Sequence, residues 1–235
     1  MFFDPIYLLF LAPGILLALW AQAKVHWTYA AASRVPSRSG YTGAEAAKIV
    51  MEQGGVFDVA IEESHGMLSD HYDPRHKVLR LSPDVLGGRS LAALGIAAHE
   101  AGHAIQHGHG YAPLALRNGL VPLASAGGNL SMALIMIGLF FAGAGTIWGR
   151  TMFLVGIALF SLTVLFQLVN LPVEFNASSR ARAALLAVGL VDSQEDRVVK
   201  KVLSAAAMTY VAATVTAVLT LLYYLFRAGL LGGRR

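Results

Sequence analysis

The sequence predicts an α-helical integral membrane protein with about four transmembrane helices and a small soluble α+β domain. Hydrophobic residues make up 56% of the 235 residues. Charged residues make up only 14%, whereas soluble domains carry about 25%. Four long stretches lack Asp, Glu, Lys and Arg over about the 20 residues that a helix needs to cross a bilayer. Between the first two stretches, charged and turn-forming residues return, which indicates a folded segment in water.

The uncharged stretches are residues 5–23, 118–149, 151–173 and 202–226. The first ends in AQA, which resembles a signal-peptidase site, but its start, MFFDP, has an Asp and no Lys or Arg, unlike a signal peptide. We therefore expect an uncleaved anchor. The predicted organisation is an N-terminal anchor at 1–24, a soluble α+β segment at 25–117, a transmembrane helical pair at 118–173, a helix at 174–201, and a C-terminal transmembrane helix with a basic tail at 202–235.

Lys and Arg residues are distributed unevenly between the two sides that four spans create. Residues 24–117 hold nine and residues 174–201 hold five of the 18, and the other side holds the remaining four. Because positive charge marks the cytoplasmic face, we expect residues 24–117 in the cytoplasm of a cell whose membrane the chain crosses several times. No basic run indicates nucleic-acid binding, so the lipid bilayer, and not nucleic acid, is the expected partner.

The soluble segment contains two predicted helices and a hairpin. TGAEAAKIVMEQGG predicts a helix that Thr42 and Glu45 start as a capping box and that Gly54 ends. VFDVAIEES and KVLRLS have the pattern of strands. DPRH at 73–76 predicts a turn, so GMLSDHY pairs with KVLRLS. A second helix begins near Ser90 and runs through LAALGIAAHEAGHAIQH.

That second helix carries the residues with the clearest chemical meaning. His99 and His103 are four residues apart and therefore lie one turn apart on one face, where two imidazoles can bind one zinc ion. Glu100 lies near the same face and can reach a water on the metal. This is H-E-x-x-H, in which the glutamate is a general base. Cysteine is absent, so further ligands must be His, Asp or Glu.

A catalytic zinc site needs a third protein ligand, and three residues are candidates. His109 has the spacing of the metzincin motif, but that motif has Gly where this chain has Gln106. His107 would lie about 12 Å from His99 along a straight helix, too far to share one ion. Glu174 stands after Pro172 at the start of a predicted helix over 174–187. A glutamate from a second helix would complete the His₂Glu ligand set of a catalytic zinc site.

Topology supports the choice of Glu174. Two spans separate it from His103, so both residues fall on the same side of the membrane. The structural alternative is an interfacial carboxylate that pairs with Arg180 or Arg182.

Four segments together resemble a known family. HEAGHAIQH, GYAPLALR, LPVEFNASSRA and YDPRHKVLRLSP are similar to the YugP-like family of membrane neutral zinc metallopeptidases, and the likeness covers nearly the whole chain. It implies a zincin-like catalytic domain, a Zn²⁺ cofactor and peptide hydrolysis at a bacterial membrane. It also implies His99 and His103 as ligands and Glu100 as the base.

Glu174 is implied as the third ligand by likeness to gluzincins of the HtpX and CAAX-prenyl protease type. Where we expect the family to have Asp, two residues after that glutamate, this chain has Asn176. If this position orients a zinc-bound histidine, the substitution bears on zinc affinity or activity.

The predicted function is zinc-dependent endopeptidase activity on a peptide or membrane-protein substrate. A water activated by the metal attacks the peptide carbonyl and Glu100 moves the proton. Residues that can orient ligands or stabilise the transition state are Asn176, Ser178, Arg180, His107 and Tyr111. The substrate is expected to lie extended along an edge strand of the 56–82 sheet.

Three other functions compete with this prediction. A site-2-type intramembrane metalloprotease would have L-D-G and a motif inside a span, but this chain has no L-D-G, and Arg89 and Arg117 flank the motif. A transporter would carry charge inside its spans, and these spans contain none. A catalytically weak protease-like scaffold that binds membrane-protein partners is the third possibility, and Asn176 favours it.

Overall fold

The computed structural model describes residues 5–66, 69–143 and 145–231. Within these residues the elements are α1 (Pro5–Ser33), α2 (Gly43–Gln53), β1 (Ala60–Glu63), β2 (His71–Asp73), β3 (Val78–Leu81), α3 (Pro83–Leu86), α4 (Leu91–Gly108), α5 (Ala112–Gly143), α6 (Ile147–Ala187) and α7 (Ser193–Arg227). The chain forms two compact units. One comprises Met1–Trp20, Leu116–Leu171 and Thr209–Arg235, and the other comprises Ala21–Ala115 and Pro172–Met208.

Four helices, α1, α5, α6 and α7, are long and apolar enough to cross a membrane. This confirms the predicted mostly helical fold with four candidate spans. In the first unit, close helix packing depends on glycine. A Cβ on Gly156 would lie 2.9 Å from the backbone nitrogen of Ile135, and a Cβ on Gly138 would lie 2.5 Å from that of Phe153. Glycine removes the Cβ that would hold the backbones apart.

Two helices run further than their uncharged stretches. The sequence predicts a helix start after Pro172, but Pro172 lies inside α6, which continues without a break to Ala187. That expected boundary is wrong. A proline removes one intrahelical hydrogen bond, and a helix that is packed and hydrogen-bonded on both sides can tolerate this loss. Likewise α7 begins at Ser193 and not at the first uncharged residue near 202.

The second unit contains the predicted soluble elements. Thr42 and Glu45 form the expected capping box at the start of α2. The sheet has the order β1-β3-β2, with β1 parallel and β2 antiparallel to β3. The predicted β2–β3 hairpin is therefore confirmed. At its turn an Asp73 carboxylate oxygen accepts hydrogen bonds from the backbone N–H groups of Arg75 and His76.

Helix α4 is the central helix of the second unit. Ser90 caps its first turn by accepting a hydrogen bond from the Ala93 N–H. Most of its side chains are buried, and many of them are Ala or Gly. A helix that is apolar on almost every side is typical of a protein interior. The motif residues are thus held on a helix that packs against its neighbours over most of its surface.

Candidate metal centre

His99 and His103 occupy successive turns of α4, and their rings lie side by side. The ring centroids are 4.9 Å apart and the ring planes meet at 79°. Their side chains are only 14% and 10% exposed. The four-residue spacing on a helix therefore produces the pair of neighbouring imidazoles that the sequence predicts.

Helix α6 brings Glu174 to this pair. Its Oε2 atom lies 3.3 Å from His99 Nε2 and 3.6 Å from His103 Nε2. Among the described residues, His99, His103 and Glu174 form the one group of three donors, all within 4.8 Å of one another, that could hold a metal ion. Glu174 lies 71 residues after His103 in the sequence, so the third donor comes from a distant helix.

These distances suit zinc. Two atoms that each lie about 2.0–2.1 Å from a tetrahedral zinc ion are about 3.4 Å apart, close to the 3.3 and 3.6 Å measured here. The Glu174 Oε2 atom is buried and has no hydrogen bond from any described residue. A buried carboxylate oxygen that accepts no hydrogen bond is costly, and a cation between the three donors would remove that cost. The donor set, two imidazoles and one carboxylate, is that of a catalytic zinc site.

Each histidine is oriented through its other ring nitrogen. His99 Nδ1 lies 3.1 Å from Ser178 Oγ, and His103 Nδ1 lies 3.0 Å from Gln106 Oε1. In metal sites, a hydrogen bond at one ring nitrogen fixes the ring and presents the other nitrogen to the ion. Both rings accordingly turn Nε2 toward Glu174.

A close contact between α4 and α6 places the two helices at this distance. A Cβ on Gly102 would lie 2.6 Å from the backbone oxygen of Ala177. Because real Cβ atoms do not approach so closely, only glycine at position 102 allows the two helices to approach to this distance. Gly102 stands between the two histidines, and Ala177 stands between Glu174 and Ser178.

Glu100 is partly buried next to the histidines and does not belong to the donor group. Its carboxylate has no hydrogen bond with the described part of the chain. Burial raises the pKa of the Glu100 carboxyl, the charge of Glu174 raises it further, and the two histidines oppose the shift.

Asn176 makes no hydrogen bond with either motif histidine within the described part of the chain. Its Oδ1 accepts hydrogen bonds from Gln106 Nε2 at 2.9 Å and Arg180 Nε at 2.7 Å. The Arg180 guanidinium also lies 5.7 Å from the centre of the Tyr111 ring. Gln106 is the residue that sequence reasoning missed. The only feature of the local sequence that could have marked Gln106 as part of the site is its position three residues after His103.

The two remaining histidines of the motif region point to other partners. His107 Nδ1 lies 2.8 Å from the Tyr72 hydroxyl on β2. His109 Nε2 lies 2.8 Å from the backbone oxygen of Gly54. Neither residue belongs to the donor group.

Four apolar helices together with a His₂Glu donor set define a class, the membrane zinc metallopeptidases. Comparison with known sequences gives the family. The profile described as "Putative neutral zinc metallopeptidase" matches residues 7–229, and the chain belongs to this family. It is 42% identical over 208 residues to the "Putative membrane protease YugP" of Bacillus subtilis (strain 168), covering 88% of this chain and 90% of that protein. No solved structure matches. Zinc is thus the cofactor of the family, and His99, His103 and Glu174 can bind it.

Proposed function

We propose that this protein is a multi-pass zinc endopeptidase of the bacterial inner membrane, with its active site on the cytoplasmic side. The observation that carries the proposal is the convergence of His99, His103 and Glu174 beside Glu100. Bound zinc would lower the pKa of a water molecule and polarise the substrate carbonyl. The three donors would hold the ion, with Ser178 and Gln106 orienting the two imidazoles.

Glu100 is the proposed general base. Its carboxylate would take a proton from the attacking water and give it to the leaving amine as the peptide C–N bond breaks. Glu100 is partly buried beside the two histidines, where its carboxylate is placed to take part in both proton transfers.

We place the substrate along the sheet. Strand β2 is an edge strand, and Tyr72 on it contacts His107 on α4. We propose that a peptide, or an extended segment of a membrane protein, adds to β2 through main-chain hydrogen bonds. Such binding depends little on the side-chain sequence of the substrate.

Two observations bear on location and on the intramembrane alternative. Fourteen of the 18 Lys and Arg residues, nine and five, lie in 24–117 and 174–201, which favours a cytoplasmic site. Helix α4 is not one of the four candidate spans of the described chain, which disfavours a site-2-type protease.

Cleavage of casein or a labelled peptide by the purified protein tests the function. We expect cleavage that a chelator abolishes and added zinc restores. Glu100→Gln should bind one zinc ion per chain and lose about 10²–10⁴-fold in rate, because a general base contributes about that much. Glu52→Gln, at an exposed position on α2, is the matched control and should cleave as the wild type does.

Other outcomes have distinct meanings. Cleavage by Glu100→Gln at the wild-type rate would remove Glu100 from the mechanism. Zinc binding by the wild type without cleavage of any substrate would favour the scaffold alternative.

A further inference from the structure

Gln106 is completely buried, and every polar atom of its side chain is engaged. Its Oε1 lies 3.0 Å from His103 Nδ1. Its Nε2 donates to the backbone oxygen of Val173 at 2.8 Å and to Asn176 Oδ1 at 2.9 Å. A primary amide has two N–H donors and one acceptor oxygen, so these three contacts engage both donors and the oxygen.

The contacts allow only one orientation of this amide. Two acceptors on α6 require the NH₂ group, so the carbonyl oxygen must face His103. A carbonyl oxygen can only accept, so His103 Nδ1 carries the hydrogen. The neutral imidazole then has its lone pair on Nε2, the atom that lies 3.6 Å from Glu174 Oε2.

The same amide also fixes α6. Val173, whose carbonyl it binds, immediately precedes Glu174, and Asn176 follows two residues later. Gln106 is therefore hydrogen-bonded to one of the ligand histidines and to the backbone beside the ligand carboxylate. Asn176 is held in turn by the Arg180 Nε–H, so its carbonyl oxygen accepts two hydrogen bonds.

We propose that Gln106 is a positioning residue that sets the tautomer of His103 and holds it in register with Glu174, and that Asn176 and Arg180 support it. This role rests on the metal centre of the proposed function. It also explains Asn176: the site needs an oxygen there that accepts from Gln106 and Arg180, and an amide supplies it without a charge.

The test measures zinc dissociation constants by competition with a chromophoric chelator, and the Tm of the metal-free protein. Gln106→Met keeps the length and removes the hydrogen bonds. We expect about 10–100-fold weaker zinc binding, the usual effect of losing an orienting partner. Gln194→Met, at an exposed position on α7, is the matched control and should bind zinc as the wild type does.

Variants of Asn176 separate positioning from packing. Asn176→Leu should weaken zinc binding, and Asn176→Asp, which keeps an acceptor oxygen, should not. Because Asn176 acts through Gln106, the double variant Gln106→Met/Asn176→Leu should bind zinc no more weakly than Gln106→Met alone.

The outcomes that overturn the proposal are distinct. Wild-type zinc affinity in Gln106→Met would refute the role of Gln106. If Gln106→Met does not fold, the Asn176 variants decide. Equal zinc affinities of Asn176→Leu, Asn176→Asp and the wild type would refute the proposed support of Gln106 by Asn176. A wild-type protein that binds no zinc would refute the proposed function itself, and this role with it.

Discussion

Gly102→Ala adds a single methyl group where α4 and α6 meet. The new Cβ would lie 2.6 Å from the oxygen, 3.2 Å from the carbonyl carbon and 3.3 Å from the Cα of Ala177. All three atoms belong to the backbone, so no side-chain rotation can relieve the contact. Ordinary van der Waals contact begins near 3.4 Å. The two helices must therefore separate by about 0.8 Å at this point.

Separating the helices by about 0.8 Å should reduce the stability of the fold only slightly, but it should disturb the metal–ligand distances strongly. Overpacking costs about 1–3 kcal/mol, and alanine in place of a helical glycine returns about 1 kcal/mol, so the metal-free protein should lose at most about 2 kcal/mol. Metal–ligand distances, in contrast, are held to about 0.2 Å. Ala177 is less than one turn from Glu174, so that carboxylate moves with it.

We therefore expect Gly102→Ala to fold, to bind zinc at least tenfold more weakly, and to lose about 10²-fold in peptide cleavage, the usual effect of a misplacement near 1 Å. Chelator competition and casein cleavage measure these effects, and Tm reports folding. Gly119→Ala is the control, because Gly119 lies in α5 with nothing within 4 Å of its added Cβ. Wild-type zinc affinity in Gly102→Ala would show that the helix contact does not set the donor distances.

Two further predictions concern the third ligand and the hairpin. Glu174→Gln keeps the shape of the side chain but removes its charge, so zinc binding should weaken more than about 100-fold, which is more than the loss of an orienting residue costs. A zinc dissociation constant equal to that of the wild type in chelator competition would remove Glu174 from the site. At the hairpin, the pKa of Asp73 is well below its usual range because its carboxylate accepts hydrogen bonds from His76, the Arg75 backbone and Arg80. A carboxyl whose pKa is lower in the folded state stabilises that state at pH values above its unfolded pKa of about 3.9. This stabilisation is lost as the pH falls. Asp73→Ala should thus lower Tm by roughly 1–3 °C at pH 7, with a difference that narrows below about pH 4; a difference independent of pH would contradict the assigned ionisation.

Local sequence patterns are sufficient to predict most of the elements of the second unit. The Thr42–Glu45 capping box, the hairpin turn at Asp73 and the start of α4 after Ser90 all depend on residues within a few positions of one another. The two histidines of the motif share a helix face for the same reason. Such features can be read from spacing because helix and turn geometry is fixed by the backbone.

Non-local features were only partly predictable. The sequence predicts Glu174 as a ligand because an even number of spans places it on the same side of the membrane as His103, and this topological argument contains no distances. Gln106 could not be assigned, because its partners Val173 and Asn176 lie 67 and 70 residues away. The continuation of α6 through Pro172 was also missed, because tertiary packing can override the local effect of a proline.

Two residues that are not ligands, Gly102 and Gln106, control the geometry of the proposed zinc site. Gly102 and Gln106 are four residues apart on α4 and therefore share one face, which is turned to α6. Gly102 sets how closely the helices approach at Ala177, and Gln106 fixes the register at Val173 and Asn176. Glu174 lies in the short segment between these contacts. Its position relative to the two imidazoles is thus determined by helix packing before any ion binds, and zinc affinity and the packing of α4 on α6 should change together in any variant of this face.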